Sequence, residues 1–118
     1  MIVWQRRWIT LPKNDPVLNM IGIARKAGKV SAGEFEAENL IRSGKAKVVI
    51  IAGDSSDNTK KKFSDKCSFY HVPFYIFSTK EELGHAIGRE MRTAVALSDD
   101  GLSNTVIRLI QQSGGKED

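Results

Sequence analysis

The chain has 118 residues, 41% hydrophobic and 27% charged, with a formal net charge of +4. That is room for one globular domain with one core, and no apolar run approaches the ~20 residues a bilayer span needs. The lone cysteine, Cys67, cannot form an internal disulfide, and one thiol with two scattered histidines is too little for a typical zinc site. Arg6 and Arg7 stand where a secretion signal would need apolar residues, so a reducing, cytoplasmic setting is expected. The charge is uneven. Residues 1–66 hold 13 basic against 7 acidic residues and residues 67–118 hold 5 against 7, so a polyanion is drawn to the first half.

Asn14-Asp15-Pro16 opens the first helix, with Asp15 as its cap and Pro16 in the first turn. Val17, Leu18, Ile21 and Ala24 follow at helical spacing, Arg25 and Lys26 suit the last turn, and Gly28 ends it. Lys29-Val30-Ser31 reads as a very short strand. A second helix is expected over 33–43, with Glu34 and Glu36 near its positive end. Val48-Val49-Ile50-Ile51-Ala52 reads as a central strand buried on both faces. Asp54, Ser55 and Ser56 offer caps for a third helix whose stripe is Thr59, Phe63, Cys67 and Tyr70, with Lys60, Lys61 and Lys62 around the other side.

Phe74 to Phe77 is a further strand, and Thr79-Lys80-Glu81-Glu82 has the capping-box pattern that starts a fourth helix through Leu83, Ala86 and Ile87. A strong strand is expected over 92–97, then a turn at Asp99-Asp100-Gly101 and a last helix bearing Leu102, Val106, Leu109 and Ile110. Strands alternating with helices place a central sheet between helical layers, an α/β class. Residues 1–15 form an N-terminal extension, 16–112 the domain and 113–118 a polar tail. In the extension, Trp4, Arg6, Arg7 and Trp8 fit a basic-aromatic arm, an element packed over the domain, or a disordered segment.

No catalytic constellation is found. Between Gly22 and Gly28-Lys29 the spacing is one residue too long for a phosphate loop, Val30 stands where Ser or Thr is required, and no strand precedes it. No dinucleotide fingerprint follows a strand. His71 and His85 are far apart in sequence, and Cys67 lies on an apolar stripe. Glu34, Glu36 and Glu38 diverge by about 200° per step around a helix, so they do not converge on one ion. No catalytic residue, metal or cofactor is therefore assigned.

The second helix offers more. Ala37, Leu40 and Ile41 form its core stripe, while Phe35 points about 160° away with Asn39 one turn on and Arg42 near both. An aromatic ring, an amide and a guanidinium on one face can stack on bases, bond base edges and hold phosphate. Alternatively Phe35 folds back onto a neighbouring loop as part of the core.

The segment Gly-Glu-Phe-Glu-Ala-Glu-Asn-Leu-Ile-Arg-Ser-Gly-Lys-Ala-Lys-Val-Val-Ile-Ile-Ala-Gly-Asp over 33–54 resembles the kink-turn-binding superfamily of small ribosomal proteins typified by the archaeal seven-Ae and thirty-e proteins. Ile21 to Val30, Asp57 to Lys62 and Asp65-Lys66-Cys67 are closer still to its bacterial YlxQ-like branch, and the resemblance spans about residues 17–112. It implies a three-layer α/β/α sandwich with a four-stranded mixed central sheet. It also implies RNA binding through the start of the second helix and a nearby loop.

In that family the helix begins Gly-Thr-Asn-Glu, with a Lys one turn after the Asn. Gly33 and Glu36 match, whereas Glu34 replaces Thr, Phe35 replaces Asn and Asn39 replaces Lys. Phe35 has no group for a base-edge hydrogen bond, Asn39 removes a positive charge and Glu34 adds a negative one. Gly33 leaves a helix N-terminus open to a phosphate. Arg89-Glu90-Met91-Arg92 corresponds to the second RNA-contacting loop, and Arg89 and Arg92 suit phosphate contacts, as do Lys29, Lys60 and Lys61. The expected function is non-catalytic binding of structured RNA, either a kink-turn or ribosomal RNA, with ribosomal or translation-related proteins as further partners and no membrane. The alternative is a protein-interaction adaptor on the same fold with weakened RNA recognition, anchored by an exposed Phe35.

Overall fold

Two runs of four apolar residues, Val48–Ile51 and Ala94–Leu97, are fully buried, and this makes them the inner strands of a sheet that needs helices on both sides. The computed structural model describes residues 15–113; the possible roles of Trp4, Arg6, Arg7 and Trp8, and most of the polar tail, lie outside the described residues. In chain order the elements are α1 (Pro16–Lys26), β1 (Val30–Ala32), α2 (Glu34–Arg42), β2 (Val48–Ile51), α3 (Asp57–Tyr70), β3 (Phe74–Ile76), α4 (Lys80–Ala86), β4 (Ala94–Leu97) and α5 (Asp100–Gln112).

The strands lie in the order β1-β4-β2-β3. β4 runs antiparallel to both of its neighbours and β2 runs parallel to β3, so the four-stranded sheet is mixed. Side chains alternate across it, as strand geometry dictates. Val48, Ile50, Val95 and Leu97 face a core built from Val17 and Ile21 of α1, Leu83 of α4, and Val106 and Ile110 of α5. Val49, Ile51, Ala94 and Ala96 face Ala37 and Ile41 of α2 and Phe63 and Cys67 of α3. These are the three layers.

Side-chain caps fix four of the five helix starts. Asp15 Oδ1 accepts from the Val17 and Leu18 amides at 2.8 and 3.2 Å, and Ser56 Oγ accepts from Thr59 at 3.1 Å. Thr79 Oγ1 accepts from Glu82 at 3.1 Å, and Asp99 Oδ2 from Leu102 at 2.8 Å.

Two expectations are corrected. Tyr70 is not part of the buried stripe of α3: it is the last helical residue, and His71 turns the chain away at φ 59°, leaving Tyr70 exposed. The strand expected over 92–97 begins only at Ala94. Thr93 still accepts a ladder bond from the Ala52 amide, but the Arg92 amide turns away to the Lys80 carbonyl at 3.0 Å.

Candidate functional site

Because β1, β2 and β3 are mutually parallel and β4 opposes them, one end of the sheet gathers the last residues of three strands and the first of the fourth. α2 starts there. Gly33, its N-cap, sits at φ 106° and ψ 156°, a region essentially reserved for glycine, and it has no side chain to cap the helix. Its amide donates to the Ala94 carbonyl at 2.8 Å, tying the start of α2 to the start of β4.

The 87–93 loop is held against the same end. The Arg89 amide donates to the Gly84 carbonyl at 2.8 Å and the Arg92 amide to Lys80. The loop comes so close to α4 that a Cβ on Gly84 would lie 2.6 Å from the Glu90 carbonyl oxygen and 2.8 Å from Met91 Cα. The loop between β2 and α3 is fastened beside it, with the Gly53 amide on the Ser78 carbonyl at 2.7 Å and Asp54 Oδ1 accepting from the Lys80 amide at 2.9 Å. An open groove of about 660 Å³ results, lined by His85, Gly88, Arg89, Glu90 and Arg92.

α2 starts one hydrogen bond away from Ala94, the first residue of the strand into which this loop leads. Phe35 is 67% exposed, so it does not fold back into the core. Asn39 is also exposed, and its Oδ1 accepts from Arg42 Nη2 at 2.6 Å. Met91, on the loop, is also exposed, at 53%. Arg89 is exposed, and Arg92 is partly buried with Nη1 donating to the Met91 carbonyl at 2.7 Å. Lys60, in the first turn of α3, belongs to the same end, while Lys61 is paired with Asp65 at 3.1 Å.

Lys29 does not join them. It precedes β1, its amide bonds to the Ala24 carbonyl and its own carbonyl accepts from Ser98, which puts it at the other end of the sheet from Gly33.

Lys62, grouped in the sequence with the solvent side of its helix, joins two elements. Its Nζ lies 3.1 Å from Glu34 Oε1 and 3.2 Å from Glu38 Oε2, bridging α3 to α2. The hydrogen bond to Glu34 is the main reason its ammonium titrates above the usual lysine range, with Glu38 adding to the shift against partial desolvation. Lys62 thereby offsets one of the two carboxylate charges that would repel a phosphate. Glu36 Oε1 lies 2.6 Å from where a Cβ on Gly33 would stand, so the carboxylate leans over the start of the helix. Sequence spacing shows neither the Lys62 bridge nor the loop seat at Gly84. The only signal for the latter is a glycine inside a helical run.

Among the described residues no group of three or more His, Cys, Asp or Glu side chains is placed to hold a metal ion, and no helix is long and apolar enough to cross a membrane. Cys67 is buried, which pushes its thiol up to about 12 and keeps it protonated.

The model of the ribosomal protein L7Ae/L30e/S12e/Gadd45 family matches residues 15–107. The chain belongs to this family. It is 41% identical over 91 residues to RNA-binding protein YlxQ of Bacillus subtilis, covering 77% of this chain and 91% of the relative. It is 39% identical over 94 residues to RNA-binding protein YlxQ of Enterococcus faecium, covering 80% and 90%. These two matches place it in the bacterial YlxQ-like branch. Large ribosomal subunit protein eL8 of Cenarchaeum symbiosum is more distant, at 27% over 103 residues and 86% and 82% coverage.

Among solved structures, a Bacillus halodurans protein of unknown function superposes with a TM-score of 0.80 at 31% identity, over 82% of this chain and 98% of that one. The Giardia lamblia 15.5kD RNA binding protein shares the fold, with a TM-score of 0.69 at 23% identity over 87% and 96%.

Proposed function

We propose that this protein binds structured RNA without catalysis, as a cytoplasmic, ribosome- or structured-RNA-associated member of its family. The carrying observation is the 2.8 Å bond from Gly33 to Ala94, which ties the start of α2 to the strand into which the arginine-bearing loop leads. Phe35 is the stacking platform, Asn39 the base-edge partner, and Arg89, Arg92 and Lys60 the phosphate contacts. Gly33 supplies the backbone turn and Glu36 an acceptor at the helix start. Glu34 acts indirectly, by fixing α2 to α3 through Lys62. RNA-binding protein names among the relatives support this reading. Phe35 cannot bond a base edge, so the protein favours kinked RNA less strongly than family members with Asn at that position.

The test is binding to a kink-turn RNA and to a length-matched hairpin across a salt series. Phe35→Ala should cost about 1–3 kcal/mol on the preferred RNA if a base stacks there, with little loss of stability because the residue is two-thirds exposed. Arg92→Ala should flatten the salt dependence by about one phosphate contact. Unchanged affinity in both variants would remove this face from the RNA site.

A second reading has one observation in its favour. Phe35 and Met91 are exposed together at an end that carries more carboxylates than cations, which suits an adaptor that docks a protein. Partner binding that survives ribonuclease and high salt would favour it.

A further inference from the structure

The end of the sheet opposite Gly33 has a different chemistry. Lys29 precedes β1 and Lys47 precedes β2, and both are bonded to the exit of β4: the Ser98 amide donates to Lys29 at 3.0 Å and the Lys47 amide to Leu97 at 2.7 Å. They thus flank β4 at two strand spacings, about 10 Å. Arg25 and Lys26 close α1 on one face of the sheet, and Arg42 and Lys45 close the α2 segment on the other. These six cations from two stretches of the chain, 25–29 and 42–47, gather at one end.

Among the described residues, the carboxylates set against them there are Asp99 and Asp100. Asp99 is occupied in capping α5, and Asp100 lies 3.7 Å from Lys47. The side chains of Arg25, Lys26, Lys29 and Lys45 are exposed and hold no ion pair or hydrogen bond among the described residues. Among the described residues the balance is reversed at the Gly33 end: Lys60, Lys62, Lys80, Arg89 and Arg92 stand against Glu34, Glu36, Glu38, Asp54, Asp57, Glu81, Glu82 and Glu90.

A third feature belongs to the cationic end. α3 finishes there, just before β3, with Phe69 75% and Tyr70 38% exposed. Their rings meet edge to face, with centroids 4.9 Å apart and an interplanar angle of 77°. Unpaired cations repel one another, and two aromatic rings in water bury little. Both are relieved by a ligand that brings negative charge and flat apolar faces together, which is the chemistry of an unpaired nucleotide strand. A purely acidic protein segment would neutralise the cations and leave the rings uncovered.

We propose that this end is a second RNA surface, in which the six cations hold the sugar-phosphate backbone and the Phe69–Tyr70 pair stacks on unpaired bases. The protein then grips RNA at both ends of its sheet: the Gly33 end selects structure, and the cationic end supplies most of the electrostatic attraction. This inference rests on the reading of the chain as an RNA binder.

It is tested on the full chain with an oligouridine strand, a kink-turn RNA and poly-glutamate. The variants are the triple Lys26→Gln/Lys29→Gln/Lys45→Gln, the double Arg89→Gln/Arg92→Gln, and Phe69→Ala, all at exposed or partly exposed positions, with thermal unfolding to show that each folds. Three phosphate contacts scale affinity by salt to a power of about 2–3. The triple variant should therefore lose about 20- to 40-fold less affinity than the parent between about 50 and 200 mM salt. Phe69→Ala should weaken oligouridine binding by about 5- to 150-fold. The double variant should lose more affinity for the kink-turn RNA than for oligouridine.

A parent chain that binds RNA while the triple variant keeps the parent's salt dependence overturns this inference and leaves the proposed function standing. A parent chain that binds neither RNA overturns both. Poly-glutamate binding as tight as oligouridine binding also overturns it, in favour of an acidic protein partner.

Discussion

Substituting Gly84 by alanine separates two effects of opposite sign. In an open helix interior the change stabilises by about 1 kcal/mol, because alanine loses less backbone freedom on folding. At Gly84 the new Cβ would meet the Glu90 carbonyl oxygen at 2.6 Å, its carbon at 2.7 Å and Met91 Cα at 2.8 Å. All three are backbone atoms, which cannot rotate aside as a side chain does. The loop must retreat by about 0.4 Å or more, stretching the bonds that anchor it at Arg89 and Arg92. Overpacking of this kind costs about 1–3 kcal/mol, and a weakened buried hydrogen bond adds to it. The net effect is a loss of about 1–2 kcal/mol, or roughly 4–15 °C in Tm for a domain of this size.

Gly101→Ala is the internal control. It sits in the first turn of α5, where a Cβ would meet only Asp99 Oδ2, at an ordinary 3.5 Å, so the same substitution should be neutral or stabilising there. Thermal unfolding of the three proteins gives the signs, and amide exchange at Arg89 and Arg92 reports the loop. A Gly84→Ala protein as stable as the parent, with those amides equally protected, would refute the claim that this glycine seats the loop.

Cys67 should resist alkylation from pH 7 to 9 and react fully once denaturant is added, since burial raises its thiol to about 12 from an ordinary 9.0. With the folded value raised, this contribution to stability is complete below pH 9 and falls as the pH climbs toward 12; urea midpoints of Cys67→Ala and the parent should diverge in slope across that window. Lys62→Met should cost less than about 1 kcal/mol, because the bridge is largely solvated, and the loss should shrink in high salt; a salt-independent loss would point to packing instead. The Lys62 contribution is complete below its ordinary value of 10.5 and disappears as pH rises through the raised folded value. Asp15→Ala removes the acceptor for two amides at the start of α1 and should cost about 1–2 kcal/mol, with Asp15→Asn recovering most of it in a denaturant titration.

The elements were legible where local chemistry decides them. Val48 to Ile51 must be an inner strand because it carries no polar face, and Asp15, Ser56, Thr79 and Asp99 announce helix starts because a short acceptor fits only there. The errors fall where distant residues decide. Tyr70 shares the period of Phe63 and Cys67, but the stripe continues only while a neighbour covers it, and the left-handed turn at His71 ends that cover. Arg92 has strand-compatible neighbours, yet its amide is claimed by Lys80 from another layer. The pairing of Lys62 with Glu34 spans 28 positions and depends on α2 and α3 packing on one face of the sheet. No periodicity encodes that distance.

Position along the chain also conceals position in space. Residues 33 and 29 are four apart, and both were candidates for RNA contact, but a strand of three residues lies between them and carries them to opposite ends of the sheet. The basic first half of the sequence therefore divides in space. Its cations at Arg25, Lys26, Lys29, Arg42, Lys45 and Lys47 gather away from Gly33, whereas its carboxylates at Glu34, Glu36, Asp54 and Asp57 gather beside it with Lys60 and Lys62. Coulomb attraction to a phosphate weakens strongly beyond a Debye length of about 8 Å at physiological salt, so a cation at the far end of the sheet cannot offset a carboxylate at the near one. An RNA drawn by charge meets the cationic end first. To engage Phe35 and Asn39 as well, it must lie along α2, whose exposed residues Phe35, Asn39 and Arg42 run from one end of the sheet toward the other.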